Sequence, residues 1–269
     1  MATRVEIVCL AGLVALLCAA PAHAGWIGVQ EAYDLFGHLE NVDDCCAATA
    51  TVNSFQYLIN HWGYDPGLLP GGIEASRDAL AALMGCPAED EDWWEEKVHW
   101  IENNAPKNPT WVHGMVFPGD DTTGWYRGDM LTKGYPTWDW LWTQLSNGQD
   151  VEIGIGLTGE GHVLTLTSLK FDDMNGDGKW EYWNETARID YLDPNNPTQL
   201  FESDLTVNPN LSLGFEWHNG GANPPEFAAL EVAYAESPAP EPGTLGSLLA
   251  AIALSAVVRS VRRTHRGLK

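Results

Sequence analysis

Positive charge is what this 269-residue chain has least of: 14 Lys and Arg stand against 37 Asp and Glu, a formal charge of −23. Such a chain is repelled by phosphate backbones and anionic lipid headgroups, which argues against nucleic acid or membrane-surface binding through a basic patch. The 8 histidines are scattered, with no His-Glu-x-x-His and no paired Cys-x-x-Cys, so a zinc centre of familiar spacing is excluded. Cysteine is scarce, at 5 residues. There is also no internal repeat and no low-complexity linker between Gly25 and Ala235. A single domain of about 210 residues is the simplest reading. What the chain does have is apolar and aromatic content, 45% hydrophobic with 13 Trp, which excludes a disordered chain.

The ends differ from the middle. Met1 to Arg4 is short and basic, Val5 to Ala20 is apolar, and Ala22-His23-Ala24 precedes Gly25. That order predicts a secretory signal over residues 1–24, cleaved after Ala24; a retained anchor is the alternative, but the run is shorter than the ~20 residues a span needs. At the other end a Pro-rich linker, Glu236 to Thr244, contains Pro240-Glu241-Pro242 and leads into apolar Leu245 to Val258. Arg259, Arg262, Arg263, Arg266 and Lys269 follow. The basic cluster is expected on the cytoplasmic side. The apolar run would span only about 21 Å as a helix, short for a permanent crossing.

This order of residues 236–269 resembles the PEP-CTERM sorting signal of Gram-negative bacteria. The resemblance implies export through the Sec machinery and transient inner-membrane anchoring through the C-terminal helix. Cleavage by an exosortase-type membrane protease and release to the cell surface or extracellular matrix would follow. A plain C-terminal anchor is the alternative. Without the two ends, residues 25–242 hold 36 acidic and 8 basic residues, a net −28, and only Cys45, Cys46 and Cys86 of the cysteines. Three thiols in an oxidising compartment permit one disulfide at most and leave a sulfur over.

In the middle, apolar residues at Ala48, Val52, Phe55, Leu58, Ile59 and Trp62 predict a helix over 47–62, stopped by Gly63. Further helices are predicted over 73–84, over 89–103 with its acids toward the N-terminal end, and over 138–146. Strands are predicted over 151–157, 163–169, 179–183, 188–192 and 231–234. Helices followed by strands predict an α+β fold with an antiparallel sheet.

Three features fall in a chemically suggestive order. Cys45-Cys46 opens the first buried helix, where unpaired N–H groups and the helix dipole favour the thiolate. Gly161-His162 enters a strand, and an imidazole there can take the thiol proton and return it to a leaving amine. Asp193-Pro194 ends a later strand and can hold the imidazole's tautomer and orientation. Each feature also has a plain structural use as a packed thiol, a core histidine and a turn.

Together with Leu141-Trp142-Thr143-Gln144-Leu145-Ser146-Asn147-Gly148-Gln149 before an apolar strand, this order resembles the papain-like cysteine peptidases. The nearest branch is the bacterial leader-processing and immunoglobulin-degrading peptidases. The resemblance implies a papain-like fold, with N-terminal helices packed on an antiparallel sheet, over residues 25–235. It also implies hydrolysis of a peptide or protein substrate through an acyl-cysteine. Two registers remain open. Cys46, Thr49 and Asn53 fit one pattern with Ala48 in place of Pro, leaving Cys45 to pair with Cys86. The other places the nucleophile at Cys45 and leaves Cys46 for that pairing. The family's oxyanion Gln is missing, and Asn41 is the amide nearest its position.

Asp173, Asn175, Asp177, Lys179 and Glu181 space oxygen donors as the first half of an EF-hand loop does, with Asn184 where a twelfth-position Glu is expected and no flanking helix. This predicts a hairpin tip holding a structural Ca²⁺, with an ion-free Asn/Gly/Asp turn as the alternative. No other cofactor is suggested. The rival to a peptidase is a non-catalytic extracellular or biofilm-matrix protein of the same fold that binds glycan, peptide or Ca²⁺.

Overall fold

The computed structural model describes residues 25–42, 44–86, 93–108, 110–116, 131–157, 161–218 and 225–238. The expected signal peptide and the apolar, Arg-rich tail lie outside the described residues. Within them no helix is long and apolar enough to cross a membrane.

Two strands of 13 residues organise the fold: β5 (Gly161–Asp173) and β9 (Glu226–Pro238). At ~3.3 Å per residue each is about 43 Å long, enough to serve two partners along one edge. The other strands are β1 (Gly25–Gln30), β2 (Thr110–Val116), β3 (Leu131–Lys133), β4 (Asp150–Gly156), β6 (Ala187–Leu192), β7 (Leu200–Val207) and β8 (Leu213–Trp217). β5, β6, β7, β8 and β9 pair in sequence, and β4 pairs with both β5 and β9, closing a six-stranded antiparallel barrel. The far half of β5 carries β1, with Val29 opposite Leu169. The end of β9 carries β2, to which β3 is parallel.

Alternation along the strands divides the core. Leu164 and Leu166 of β5 and Val151, Ile153 and Ile155 of β4 join the barrel cluster with Tyr191, Phe215 and Trp217. Val163 faces the other way, into the cluster built by the helices. These helices are α1 (Cys46–Trp62), α2 (Ile73–Leu83), α3 (Trp93–Asn104) and, on the barrel, α4 (Trp138–Ser146). α1 buries Ala48, Val52, Phe55 and Leu58 completely and ends at Gly63, whose φ of 68° lets its N–H return to Ile59 O. Each such large apolar side chain contributes ~1.5–3 kcal/mol.

The expected papain-like α+β architecture, N-terminal helices on an antiparallel sheet, is overturned by this topology. The described chain is mostly antiparallel β, with six strands closed into a barrel and four helices. Strands β7 and β8 were the missing pieces. β7 buries Phe201, Ser203 and Leu205 while Glu202, Asp204 and Thr206 face out, so its period of two is carried partly by residues of low strand propensity. Residues 179–183, expected as a strand, instead form bends and a turn because nearby carboxylates capture their backbone N–H groups. β9 also runs through Pro238, past the expected start of the linker.

One charged group ties the helices to the barrel. Lys97 of α3 is 1% exposed and ion-pairs with Glu152 of β4 and, at 2.7 Å, Glu236 of β9; Asp150 lies 4.0 Å away. Three carboxylates share one ammonium here. Burial therefore pushes Asp150 up to about 7 and Glu236 well above the carboxylate range, against the pull of Lys97.

Candidate active site

One rim of the barrel gathers the start of β5, the ends of β6 and β8, and the N-terminus of α1. His162 is the second residue of β5, Asp193 follows β6 directly, Trp217 ends β8 and Cys46 opens α1. Each thus sits where a regular element gives way to a turn, with its backbone held by the element and its side chain at the rim.

The loop before α1 is positioned by Asn53, one of the residues of the sequence pattern. Its buried amide accepts from Leu39 N at 2.9 Å and donates to Leu39 O at 3.2 Å. Gly37 passes so close that an added Cβ would stand 2.6 Å from both Asn53 Oδ1 and Ile73 Cδ1. The chain then turns through Asp44, at φ 59°, into Cys45 and the helix.

It is the Cys46 side chain that hydrogen-bonds His162. His162 Nε2 lies 2.9 Å from Asp193 Oδ1, which leaves Nδ1 for the sulfur. Asp193 is fully buried and saturated: Oδ1 also accepts from Asn195 N at 2.8 Å, and Oδ2 accepts from Trp217 Nε1 at 2.8 Å. The Trp217 ring also lies 4.9 Å from the imidazole, centroid to centroid.

The electrostatics follow from this line of contacts. Burial raises the Cys46 thiol, but the hydrogen bond and charge of His162, with the N–H groups of Val163 and Ala47, outweigh it and hold the thiol below its ordinary value. Burial lowers His162, yet Asp193 and Cys46 lift it to about 9. Burial also raises Asp193, and its bonds from His162, Asn195 and Trp217 bring it below the usual carboxylate value. These opposed shifts favour transfer of the Cys46 proton to His162, with Asp193 accepting behind the imidazole, in order from helix to strand to turn.

The chain matches no protein-family model and no curated protein. The arrangement at the rim therefore stands on its own geometry.

Of the residues singled out in the sequence, Cys46, His162 and Asp193 converge. Cys45 meets a different partner: its side chain hydrogen-bonds Cys86, and it is 7% exposed. Asn41 reaches the site from behind: its amide donates to Asn195 Oδ1 at 3.0 Å and its N–H to Pro194 O at 2.6 Å. It clamps the loop before the thiol to the turn that carries the carboxylate. The Ala47 N–H at the start of α1 meets the sulfur, the kind of helix-terminal donor that stabilises an anion there.

Asp173, Asn175, Asp177, Lys179 and Glu181 are brought together at the opposite end of β5. Asp173 accepts from the N–H groups of Gly176, Asp177 and Gly178; Asn175 Oδ1 accepts from Asp177 N, and Asp177 Oδ1 from Lys179 N. Glu185, unremarked in the sequence, accepts from Met174 N and Glu181 N. Among the described residues no group of three or more His, Cys, Asp or Glu is arranged to hold a metal. The Ca²⁺ reading of the loop rests on its spacing alone.

Trp217 and Asn195 were missed. Asn195 carried a weak signal, two residues after an Asp in a Pro-containing turn. Trp217 carried none, because its role depends on closure of the barrel.

Proposed function

We propose that this chain is a cysteine hydrolase that cleaves peptide bonds. The observation that supports it most is the continuous contact from the Cys46 sulfur through His162 to Asp193. In this reading the Cys46 thiolate attacks the scissile carbonyl carbon, and the first-turn N–H groups of α1 receive the oxyanion. The His162 imidazolium gives its proton to the leaving amine, which departs as the acyl-thioester forms. His162 then takes a proton from water, and the hydroxide attacks the thioester carbonyl, releasing the acid and restoring the Cys46 thiolate beside the imidazolium. Asp193 keeps the imidazole proton on Nε2, and Trp217 keeps Asp193 ionised and dry.

The same reading places the protein outside the cell. The signal-like N-terminus and PEP-CTERM-like tail support export through Sec, transient anchoring in the inner membrane, and processing by an exosortase-type protease. Peptide or protein is then the substrate at the surface.

The test is hydrolysis of a fluorogenic peptide library by the full chain beside Cys46→Ala and Cys45→Ala. Loss in Cys46→Ala with activity kept in Cys45→Ala is the expected result. Equal turnover by all three proteins would remove the reading. A second reading, a surface protein that binds rather than cleaves, has one observation in its favour. Tyr182 and Trp183, with rings 5.0 Å apart, stand 52% and 69% exposed on the loop at the opposite barrel end.

A further inference from the structure

Two turns at the base of the nucleophile helix bring a second pair of sulfurs together. Asp44, at φ 59°, directs the chain into Cys45, whose N–H donates to Val42 O at 3.3 Å and which forms the N-cap of α1. At the end of α2, Gly85, at φ 73°, reverses the chain so that Cys86 N–H donates to Ala81 O at 3.0 Å. This six-to-one closure fixes the Cys86 backbone. The Cys45 and Cys86 side chains meet in a hydrogen bond, within the apolar cluster that also holds Cys46.

A thiol is a weak donor and a weak acceptor, and here the buried Cys45 thiol meets the half-buried thiol of Cys86. No metal explains the pair, since no group of three or more suitable side chains surrounds it among the described residues.

We propose that Cys45 and Cys86 are a dithiol site for a small-molecule disulfide, of the oxidised-glutathione type, and close to a Cys45–Cys86 disulfide that leaves Cys46 as the free thiol of the three. One thiolate of the pair attacks the small disulfide, forming a mixed disulfide and expelling one small thiolate. The partner thiol loses its proton, attacks the protein sulfur of that bond and expels the second small thiol. Two protein thiols are oxidised and one small disulfide is reduced to two thiols. Burial, together with the neighbouring thiols, pushes the Cys86 thiol up to about 12, so the first attack is slow at neutral pH.

The closed bond ties the N-cap of α1 to the end of α2. It also removes the two thiols with which the Cys46 sulfur would otherwise exchange. The proposal does not rest on the hydrolase reading, because it concerns how the sulfurs are paired whether or not Cys46 cleaves peptides.

The experiment is peptide mapping of the full chain after incubation with oxidised glutathione, alkylation without reduction, and fragmentation of the linked peptide. The expected product joins Cys45 to Cys86 and carries the alkyl group on Cys46. The link persists in Cys46→Ser and is absent in Cys86→Ser. Reduction lowers the unfolding temperature of the oxidised wild type by about 10 °C, the effect of closing a loop of this length, and leaves Cys86→Ser unchanged. Alkylation of Cys45, Cys46 and Cys86 alike, a stable glutathione adduct without closure, or a link through Cys46 would overturn the proposal.

Discussion

The two ends of β5 hold buried aspartates that solve the same problem in opposite ways. Asp173, at one end, is 2% exposed and takes its donors from N–H groups three to five residues ahead in its own loop. Asp193, at the other rim, is completely buried and takes them from His162 of β5, Asn195 of its own turn and Trp217 of β8. The first carboxylate organises a loop; the second joins three parts of the barrel and acts on a group that acts on a third. A buried charge must be satisfied in either case. Only donors drawn from distant elements turn that requirement into a device for holding an imidazole beside a thiol.

The largest effect that separates the two ends is on catalysis. Replacing Cys46 by Ala is expected to lower peptide hydrolysis by about 10⁴-fold or more, while Asp173→Ala leaves kcat/KM within about twofold; steady-state assays of both check this. Asp193→Asn follows, with a fall in kcat of about 10³-fold as the imidazole loses its fixed tautomer. Trp217→Phe keeps the ring but removes one hydrogen bond to Asp193, and a loss of about tenfold in kcat is expected, roughly the rate equivalent of one such bond. Asp173→Ala should show its effect in urea denaturation instead, as a loss of about 2 kcal/mol from backbone donors left unpaired.

The smallest effects are in pH dependence. His162 is raised above its ordinary value in the fold, so its contribution to stability is complete below about 6.5 and is lost as pH rises through about 9. Asp193 is lowered, so its contribution is present above its ordinary value near 4 and is lost as pH falls below it. Asp150, raised to about 7, behaves as His162 does and weakens the helix–barrel seam as pH rises through 7. Hydrolysis should fall above about pH 9 as the imidazolium loses the proton destined for the leaving amine. Denaturation midpoints and kcat/KM profiles between pH 4 and 10 measure these together.

Much of the site was legible in the sequence because its three residues each sit at a local boundary: a helix start, a glycine before a strand, an Asp-Pro after one. Those boundaries survive in the structure to within a residue or two, and α4 forms over the predicted 138–146. The choice between Cys45 and Cys46 was not legible, since one step around a helix start decides which thiol meets the imidazole. Asn41 was placed at the right loop, but its amide turned out to hold the Asp193 turn through Asn195. The barrel was the least legible feature. Its closure depends on β4 pairing with both β5 and β9, a relation between segments that no local period encodes. The oxygen-rich spacing after Asp173 shows the converse, since a local pattern that fits a metal loop also fits a loop closed by its own N–H groups.

The contact on which the site turns is the one by which His162 favours the Cys46 thiolate. Its most direct test is the pH dependence of iodoacetamide alkylation at Cys46 in the full chain, followed by mass spectrometry in wild type and His162→Ala. Labelling faster than that of Cys86 is expected, with an inflection below the ordinary thiol value that moves upward in the variant. Labelling of Cys46 no faster than that of Cys86, and unchanged in His162→Ala, would contradict it.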